Sequence, residues 1–409
     1  MTDTAAPPLA IVGLGLTQIV GYGTLYYSFP IVVPAIASEL MISPQWVFAV
    51  LSAALLLGSL VAPTAGRLAD RLGAARLMAA GSAAAALALV AAAAAPGAIS
   101  LCAAFVFMQL AASFVLYATA FVAIVQIGPH GAQRAIVYLT LIAGFASTIF
   151  WPFADFLHGH FSWRGVFLVF AALHLFLCLP IHAALTRLSR RRQRARALDP
   201  LPDFQPDEPA LDPTRARAFF PVLLFGFAAE GFVLAAILLH MVPLVDTLGP
   251  AGAGVALATL FGPAQVASRL VNMVFGGRLP QRHLAVIAAI LMAVAPLLLI
   301  FGAPWHLLIA GFVFLFGLGS GLTSIVGGTL PLELFGRIGY GARVGWVAGA
   351  RQFSSALAPF VFSVLMGATS PEFALWSVVI VAVTGLSAFI AIAAVADRAT
   401  MRRTNAHLR

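Results

Sequence analysis

The sequence predicts an all-α membrane protein with twelve transmembrane helices in two pseudo-symmetric six-helix bundles. The first indication is composition, because 62% of the 409 residues are hydrophobic and only 9% are charged. An ordinary soluble chain is roughly 45–50% apolar and about 25% charged, so lipid has to solvate the excess apolar surface. The second indication is the recurrence of apolar runs of about 20 residues, the length that crosses a hydrocarbon core of roughly 30 Å. The third indication is the placement of the arginines.

Twelve spans account for the apolar runs. The N-terminal stretch MTDTAAPPLA lacks a basic region and a small-residue cleavage site, so no removable signal peptide is expected. We place the spans at 9–37, 46–65, 77–95, 99–127, 135–157, 165–185, 219–245, 251–275, 284–301, 306–332, 344–366 and 373–395.

The basic residues predict the topology. The chain has no lysine, and all 23 basic residues are arginine. With the N-terminus inside, 20 of them lie on the inner side, only Arg164 lies on the outer side, and Arg269 and Arg351 lie within spans. This is a strong positive-inside distribution. It predicts a multi-pass protein of the inner (cytoplasmic) cell membrane with both termini in the cytoplasm.

One long break divides the chain. Residues 187–217 are basic, then acidic and proline-rich, then basic again, a composition that cannot pack a core. We therefore expect a mobile cytoplasmic linker between an N-terminal bundle, residues 1–186, and a C-terminal bundle with a cytoplasmic tail, residues 218–409. The linker arginines fit attraction to anionic lipid better than nucleic-acid binding, so no nucleic-acid partner is expected. The tripeptide GRL at Gly66 recurs at Gly277, 211 residues later, which favours a duplicated unit.

The stretch GRLADRLGAAR concentrates charge between the second and third spans. It resembles the loop signature of the major facilitator superfamily, roughly G-x-x-x-D-R-x-G-x-x-[RK]. Gly66, Asp70, Arg71, Gly73 and Arg76 match this pattern and fall in the predicted loop. The stretch FSWRGVF, before the sixth span, is similar to a W-R turn of the same superfamily.

This resemblance implies the major facilitator fold and a secondary transporter that works by alternating access. It also implies a gating role for the motif. Asp70 would accept hydrogen bonds from the N-terminus of a neighbouring helix and hold the two half-bundles together while the outside is open. The alternative is that these charges only anchor the topology.

Ionisable side chains within spans are costly and usually face a cavity, and all three candidates lie in the second half: Glu230, Arg269 and Arg351. Gln265, Arg269 and Asn272 form a polar stripe at helical spacing. A guanidinium stays charged and can grip a carboxylate with two parallel hydrogen bonds. Two of them predict a small organic anion, a mono- or dicarboxylate, as substrate.

The nearest resemblance within the superfamily is to oxalate/formate exchangers and monocarboxylate transporters. Both place a basic residue in the eighth span, and the exchangers have another in the eleventh, at positions like Arg269 and Arg351. This chain departs from the monocarboxylate transporters, which have an acidic residue where Gln265 stands and a lysine in the first span. Proton coupling by their route is therefore not implied.

Glu230 is the candidate for proton coupling. A carboxyl group at this depth could carry a proton, or, beside an arginine, could stay ionised until substrate competes for that arginine. The structural alternative is a permanent pair between Glu230 and an arginine that only holds helices together.

The first half has no intramembrane charge but offers aromatic and amide groups. Gln18, Tyr22 and Tyr26 share one face of the first span, and Gln109 and Tyr117 lie on one face of the fourth. In the resembled superfamily the first, fourth, seventh and tenth spans line the cavity, so these side chains are candidate substrate ligands. Bundle packing is the alternative for each tyrosine. Tyr27 is expected to point off this face. His240, near the outer end of the seventh span, could also bind substrate or rest at the interface.

The predicted function is transport of a small organic anion by proton symport or anion exchange. The alternative is a proton-coupled efflux antiporter for drugs or metalloids, in which Glu230 attracts the solute. A non-transporting membrane sensor is a third class. The sequence contains no phosphate-binding loop, metal-ligand set or catalytic constellation, so no enzyme activity, cofactor or metal is expected. We expect a monomer whose partners are substrate, protons and the lipid bilayer.

Overall fold

The computed structural model describes residues 5–198, 209–249, 252–276, 279–303 and 305–407, and within these the chain folds into twelve long helices. Those of the first half are α1 (Pro8–Glu39), α2 (Pro44–Leu72), α3 (Ala74–Ala93), α4 (Ala98–Ile127), α5 (Ala132–His160) and α6, which runs through Trp163–Leu173, a π-helical turn His174–Cys178 and Leu179–Leu198. Those of the second half are α7 (Pro213–Leu248), α8 (Phe261–Phe275), α9 (Gln281–Gly302), α10 (His306–Phe335), α11 (Tyr340–Ala368) and α12 (Pro371–His407). The predicted all-α class is confirmed.

Ten of these helices are long and apolar enough to cross a membrane, counted over the described ranges. The two that fall outside this group are α8 and α11, which carry Arg269 and Arg351. α8 has only 15 residues, and the short helix Gly254–Ala258 precedes it where the sequence predicts one continuous span. Within the described ranges, neither of the two helices that carry these arginines has an apolar stretch of membrane-spanning length.

The chain packs as two compact units. Unit 1 comprises Met1–Pro206 and Gly339–Gly349, and unit 2 comprises Asp207–Ile338 and Ala350–Arg409. The first turns of α11 therefore belong to unit 1. The sequence-based boundaries at residues 186 and 218 stay a prediction.

The expectation that the charged motif forms a loop is wrong. α2 continues to Leu72, so Gly66, Asp70 and Arg71 are helical, and Arg76 lies in the first turn of α3. The residues of GRLADRL, apart from its glycine, are compatible with a helix. The helix ends before Gly73, whose φ of 90° glycine adopts without steric strain.

The predicted linker is largely helical where the structure describes it. α6 runs to Leu198 and α7 begins at Pro213, where Asp212 caps the helix by accepting from the Thr214 and Arg215 N–H groups. Residues 199–208 lie outside the described residues. The second GRL copy also starts outside them, at Gly277 and Arg278.

Two interruptions in unit 1 shape the interior. α1 contains a π-helical turn over Gly23–Tyr27, and α4 breaks at Leu116, whose ψ is −173°. Such irregularities leave backbone carbonyl oxygens without their usual helical donors. The Thr119 hydroxyl donates to one of them, the Ser113 carbonyl oxygen, at 3.1 Å.

Candidate functional site

Asp70 binds the first turn of α11. Its two carboxylate oxygens accept from the backbone N–H groups of Gly341 and Ala342, each at 2.9 Å. The N–H groups at a helix start carry partial positive charge, so a carboxylate stabilises them. All three residues belong to unit 1. Arg71 and Arg76, from the same motif, are exposed.

The backbones of α2 and α11 touch beside this contact. A Cβ atom on Gly66 would overlap the Gly341 carbonyl oxygen, and one on Gly345 would lie 3.2 Å from the Gly66 Cα atom. Only glycine allows this approach, and the approach brings Asp70 within reach of the helix start. Partial burial lowers the pKa of the Arg343 guanidinium in the same turn, and the Asp70 carboxylate opposes that shift.

Gln126 of α4 supports the motif, although the sequence did not single it out. Its Oε1 atom accepts from the Ala74 N–H at 2.8 Å, and its Nε2 atom donates to the Ala69 carbonyl oxygen at 2.9 Å. The amide thus binds the chain on both sides of Gly73, and the Ala69 carbonyl oxygen also accepts from the Gly73 N–H at 3.1 Å. A glutamine inside an apolar helix was the available signal.

Arg269 is buried in unit 2, with 3% of its surface exposed. Its guanidinium donates to the Ser324 hydroxyl at 3.1 Å and to the Gly321 carbonyl oxygen at 3.4 Å, both on α10. One turn earlier on α8, the Gln265 amide donates to the Ser320 hydroxyl at 2.9 Å. The predicted stripe on α8 therefore faces a polar stripe on α10.

Glu230 of α7 is 4% exposed, and neither carboxylate oxygen has a hydrogen-bond partner among the described residues. The Thr323 hydroxyl lies beside the carboxylate but donates to the Gly319 carbonyl oxygen at 3.0 Å. A very small cleft adjoins the carboxylate, and its lining comprises Glu230, Val233, Ala289, Met292 and Ala382.

Arg351 is half-buried on α11 and lies close enough to Glu230 for its charge to act on the carboxylate. The two helices are in contact here. A Cβ atom on Gly231 would lie 2.5 Å from the Arg351 carbonyl oxygen, and the Ser355 hydroxyl donates to the Gly231 carbonyl oxygen at 2.9 Å. Position 231, next to Glu230, therefore requires glycine.

One turn of α10 brings these groups to a common level. Thr323 faces Glu230, and its neighbour Ser324 binds Arg269. Arg351 approaches the same carboxylate from α11. Unit 2 therefore holds two guanidinium groups and one carboxylate in a single layer. The run GSGLTS in the sequence contained the hydroxyls that build this layer.

The other predicted ligands of unit 2 lie apart from this turn of α10. Asn272 is 8% exposed and sits against the C-terminal end of α8, where a Cβ atom on Gly276 would overlap its Oδ1 atom. His240 donates through Nδ1 to the Ala236 carbonyl oxygen at 2.9 Å, and its ring packs 4.9 Å from the Phe362 ring.

In unit 1 the two candidate amides bind backbone. Gln18 is fully buried, and its Nε2 atom donates to the Val115 carbonyl oxygen at 2.7 Å, beside the break in α4. Gln109 donates to the Leu25 carbonyl oxygen at 3.0 Å, within the π-helical turn of α1. Each amide thus supplies a donor at a helix irregularity on the opposite helix.

The tyrosines form a cluster in unit 1. The ring centroids of Tyr22 and Tyr117 lie 4.7 Å apart, those of Tyr22 and Tyr27 6.2 Å apart, and those of Tyr26 and Tyr27 5.4 Å apart. The expectation that Tyr27 points away from this group is wrong. Hydrogen-bonded partners in the π-helical turn are five positions apart, so Tyr22 and Tyr27 align where a regular α-helix would separate them.

Two buried histidines on α6 were missed. The Nε2 atom of His174 lies 2.8 Å from the Thr24 hydroxyl, and His182 lies between the hydroxyls of Ser82, at 2.8 Å, and Thr17, at 3.0 Å. A histidine within an apolar run was the signal in each case. Both rings are held by neutral hydroxyl groups.

Comparison with known proteins places this architecture. A model of the Major Facilitator Superfamily matches residues 14–279, more than half of the chain. No curated protein sequence matches the chain.

Three similar solved structures have this fold at low identity. The human organic anion transporter MFSD10 (TETRAN) is 14% identical with a TM-score of 0.69, over 94% of this chain and 100% of that one. FucP in the outward conformation is 13% identical, TM-score 0.64, over 95% and 98%. The proton:xylose symporter XylE bound to 6-bromo-6-deoxy-D-glucose is 13% identical, TM-score 0.66, over 92% and 94%. At these identities the likeness shows the fold alone, and together with the family match it leads to one conclusion: the chain belongs to the Major Facilitator Superfamily.

Proposed function

We propose that this transporter carries a small organic anion, a mono- or dicarboxylate, by proton symport or anion exchange. Transport across a membrane by alternating access is general to the family. The observation that carries the anion assignment is the layer in unit 2, where Arg269 and Arg351 share one level with the carboxylate of Glu230.

The charge balance of this layer favours an anionic cargo. Two guanidinium groups and a single carboxylate leave at least one net positive charge, in a region where an unbalanced charge costs several kcal/mol. Arg269 donates to a hydroxyl and to a carbonyl oxygen, and both of these groups are neutral. An incoming carboxylate would balance the charge and accept paired N–H donors from a guanidinium.

Coupling follows from the same geometry. Glu230 has no hydrogen-bond donor of its own, so Arg351 is the group that stabilises its charged form. A carboxylate cargo that binds Arg351 would take this positive charge away from Glu230. Glu230 would then take up a proton, and cargo and proton would cross together, which is symport. A cargo that leaves the pair intact would give exchange. MFSD10 is named an organic anion transporter, but at 14% identity the arginines of this chain carry the argument.

Counterflow of a radiolabelled carboxylate in proteoliposomes tests the proposal. We expect Arg269→Gln to slow counterflow by about 100-fold, because a lost charge-assisted contact is worth roughly 3 kcal/mol. Arg269→Lys should keep a measurable part of the rate. Arg398→Gln makes the same change at an exposed position of α12 and is the matched control. Full counterflow by Arg269→Gln and by Arg351→Gln would exclude the proposed site.

The unpartnered carboxylate of Glu230 is the observation that favours an efflux antiporter for drugs or metalloids. In that case a cationic or neutral solute would bind Glu230 and be displaced by protons. A Glu230→Gln protein that loses drug or metalloid resistance and keeps carboxylate exchange would select this function. A Glu230→Gln protein that keeps carboxylate exchange but whose transport no longer depends on pH would select proton symport of the anion.

A further inference from the structure

A second charged cleft lies wholly within unit 1, at the end that the arginines predict to be cytoplasmic. Its volume is about 160 Å³, and it opens between the end of α2, the start of α3 and the C-terminal part of α6. Three of the side chains that line it are arginines: Arg71, Arg76 and Arg190.

The described residues balance only part of the positive charge of this cleft, since it holds three arginines and one carboxylate. None of the three guanidinium groups forms an ion pair or hydrogen bond with any of them. Asp70 is the one carboxylate in the lining, and its two oxygens already accept from the start of α11. Three like charges around one cavity repel each other, so an anion that enters it is stabilised.

A buried hydroxyl also faces this cleft. Ser189 is 7% exposed, and its oxygen accepts from the Gln193 amide at 3.4 Å, which leaves its O–H proton without an acceptor among the described residues. Thr186, one turn earlier, has its hydroxyl committed to the His182 carbonyl oxygen at 2.8 Å. The cleft therefore offers one buried neutral donor together with its three cations.

We propose that this cleft is a binding site for a phosphate group, as found on anionic lipid headgroups and in free phosphate. A tetrahedral phosphate carries several acceptor oxygens, which suits guanidinium groups contributed by three helices, α2, α3 and α6, together with a hydroxyl from α6. The cleft also adjoins the N-terminal turn of α3 at Ala75, where helix geometry favours an anion. The site is separate from the transport layer, because all its residues belong to unit 1.

Binding to the purified full-length protein tests this site. Inorganic phosphate is titrated by calorimetry in detergent at constant ionic strength, and phosphatidylglycerol is compared with phosphatidylcholine by native mass spectrometry. We expect Arg71→Gln/Arg190→Gln to weaken binding by about tenfold or more, because the double variant removes two charged hydrogen-bond donors from the cleft. The control Arg191→Gln/Arg194→Gln removes the same charge from exposed positions outside the cleft and should change affinity by less than about twofold.

The two probes separate the sources of the phosphate. Binding of free phosphate that depends on Arg71 and Arg190 indicates a soluble ligand, and dependence seen with phosphatidylglycerol alone indicates a lipid headgroup. A Ser189→Ala variant keeps every charge and should weaken the same probe by a smaller factor, which covers the case in which the double variant does not fold. Equal binding by the wild-type protein and both cleft variants, or no binding of either probe, would overturn the proposal. Transport is not measured, so this result is independent of the proposed cargo.

Discussion

The two units bury polar groups of different kinds. In the described part of unit 1 every buried polar side chain is an amide, a hydroxyl or an imidazole, whereas unit 2 buries the charged groups Glu230 and Arg269. The amides of Gln18 and Gln109 fill gaps left by irregular turns of α1 and α4. Arg269 does not donate to a carbonyl oxygen at an irregular helix turn, and Glu230 binds no backbone group. A structural role of this kind therefore does not explain their charges.

This difference teaches how a duplicated architecture divides its work. Neutral side chains that form a hydrogen bond with a specific backbone atom stabilise the fold, and removing them lowers the free energy of unfolding. A buried ion pair contributes little net stability, since desolvation offsets attraction. We therefore expect unit 1 to contribute shape and aromatic surface, and unit 2 to contribute the charge that selects the cargo.

The largest expected effect comes from the charged pair of unit 2. Replacing both members, as Glu230→Leu/Arg351→Met, should abolish carboxylate counterflow and leave the melting temperature within a few degrees of wild type, because apolar replacement of a buried pair is often neutral. Arg351→Met alone should lower the melting temperature more than the double variant does, since it removes the positive charge that acts on the buried Glu230 carboxylate. Thermal unfolding in detergent and counterflow in proteoliposomes measure the two effects.

The control for this comparison is the double variant itself. If it unfolds as readily as Arg351→Met alone, the pair is a structural latch between α7 and α11. That outcome would remove the proposed division between the units.

A smaller effect is expected from the amides of unit 1. Gln18→Leu leaves the Val115 carbonyl oxygen buried without its donor, which should lower the free energy of unfolding by about 1–3 kcal/mol. Substrate affinity should not change. If Gln18→Leu weakens substrate binding and leaves stability unaltered, the amide belongs to the substrate site, as the sequence predicted.

The smallest effect concerns the tyrosine cluster. We expect Tyr27→Ala to raise the half-saturating substrate concentration about two- to tenfold, because aromatic contacts of this kind contribute roughly 0.5–1.5 kcal/mol. Tyr22→Ala should act similarly, since the two rings are in contact. Tyr138→Ala removes a tyrosine outside the cluster that binds Arg134, and uptake kinetics should be unchanged. If Tyr27→Ala has the half-saturating substrate concentration of the wild type, the cluster serves only helix packing.

Some parts of the site followed from residue type alone. A permanent charge in an apolar run is conspicuous, so Glu230, Arg269 and Arg351 were identified without coordinates. The polar stripe through Gln265 and Arg269 followed from the regular period of α8. Tyr27 could not be found in this way, because a π-helical turn shifts the helical phase and apolar sequence gives no sign of it.

The sequence by itself determined the class of this protein, its helices and its family motif, because hydrophobicity, helical period and charge placement are local properties. Only the tertiary structure decided what each polar side chain binds. Gln18 and Gln109 donate to carbonyl oxygens on another helix, and Asp70 accepts from N–H groups at the start of α11. Glu230 accepts no hydrogen bond from the described residues. Such partners are distant in sequence, and they are set by helix packing, which no local pattern encodes.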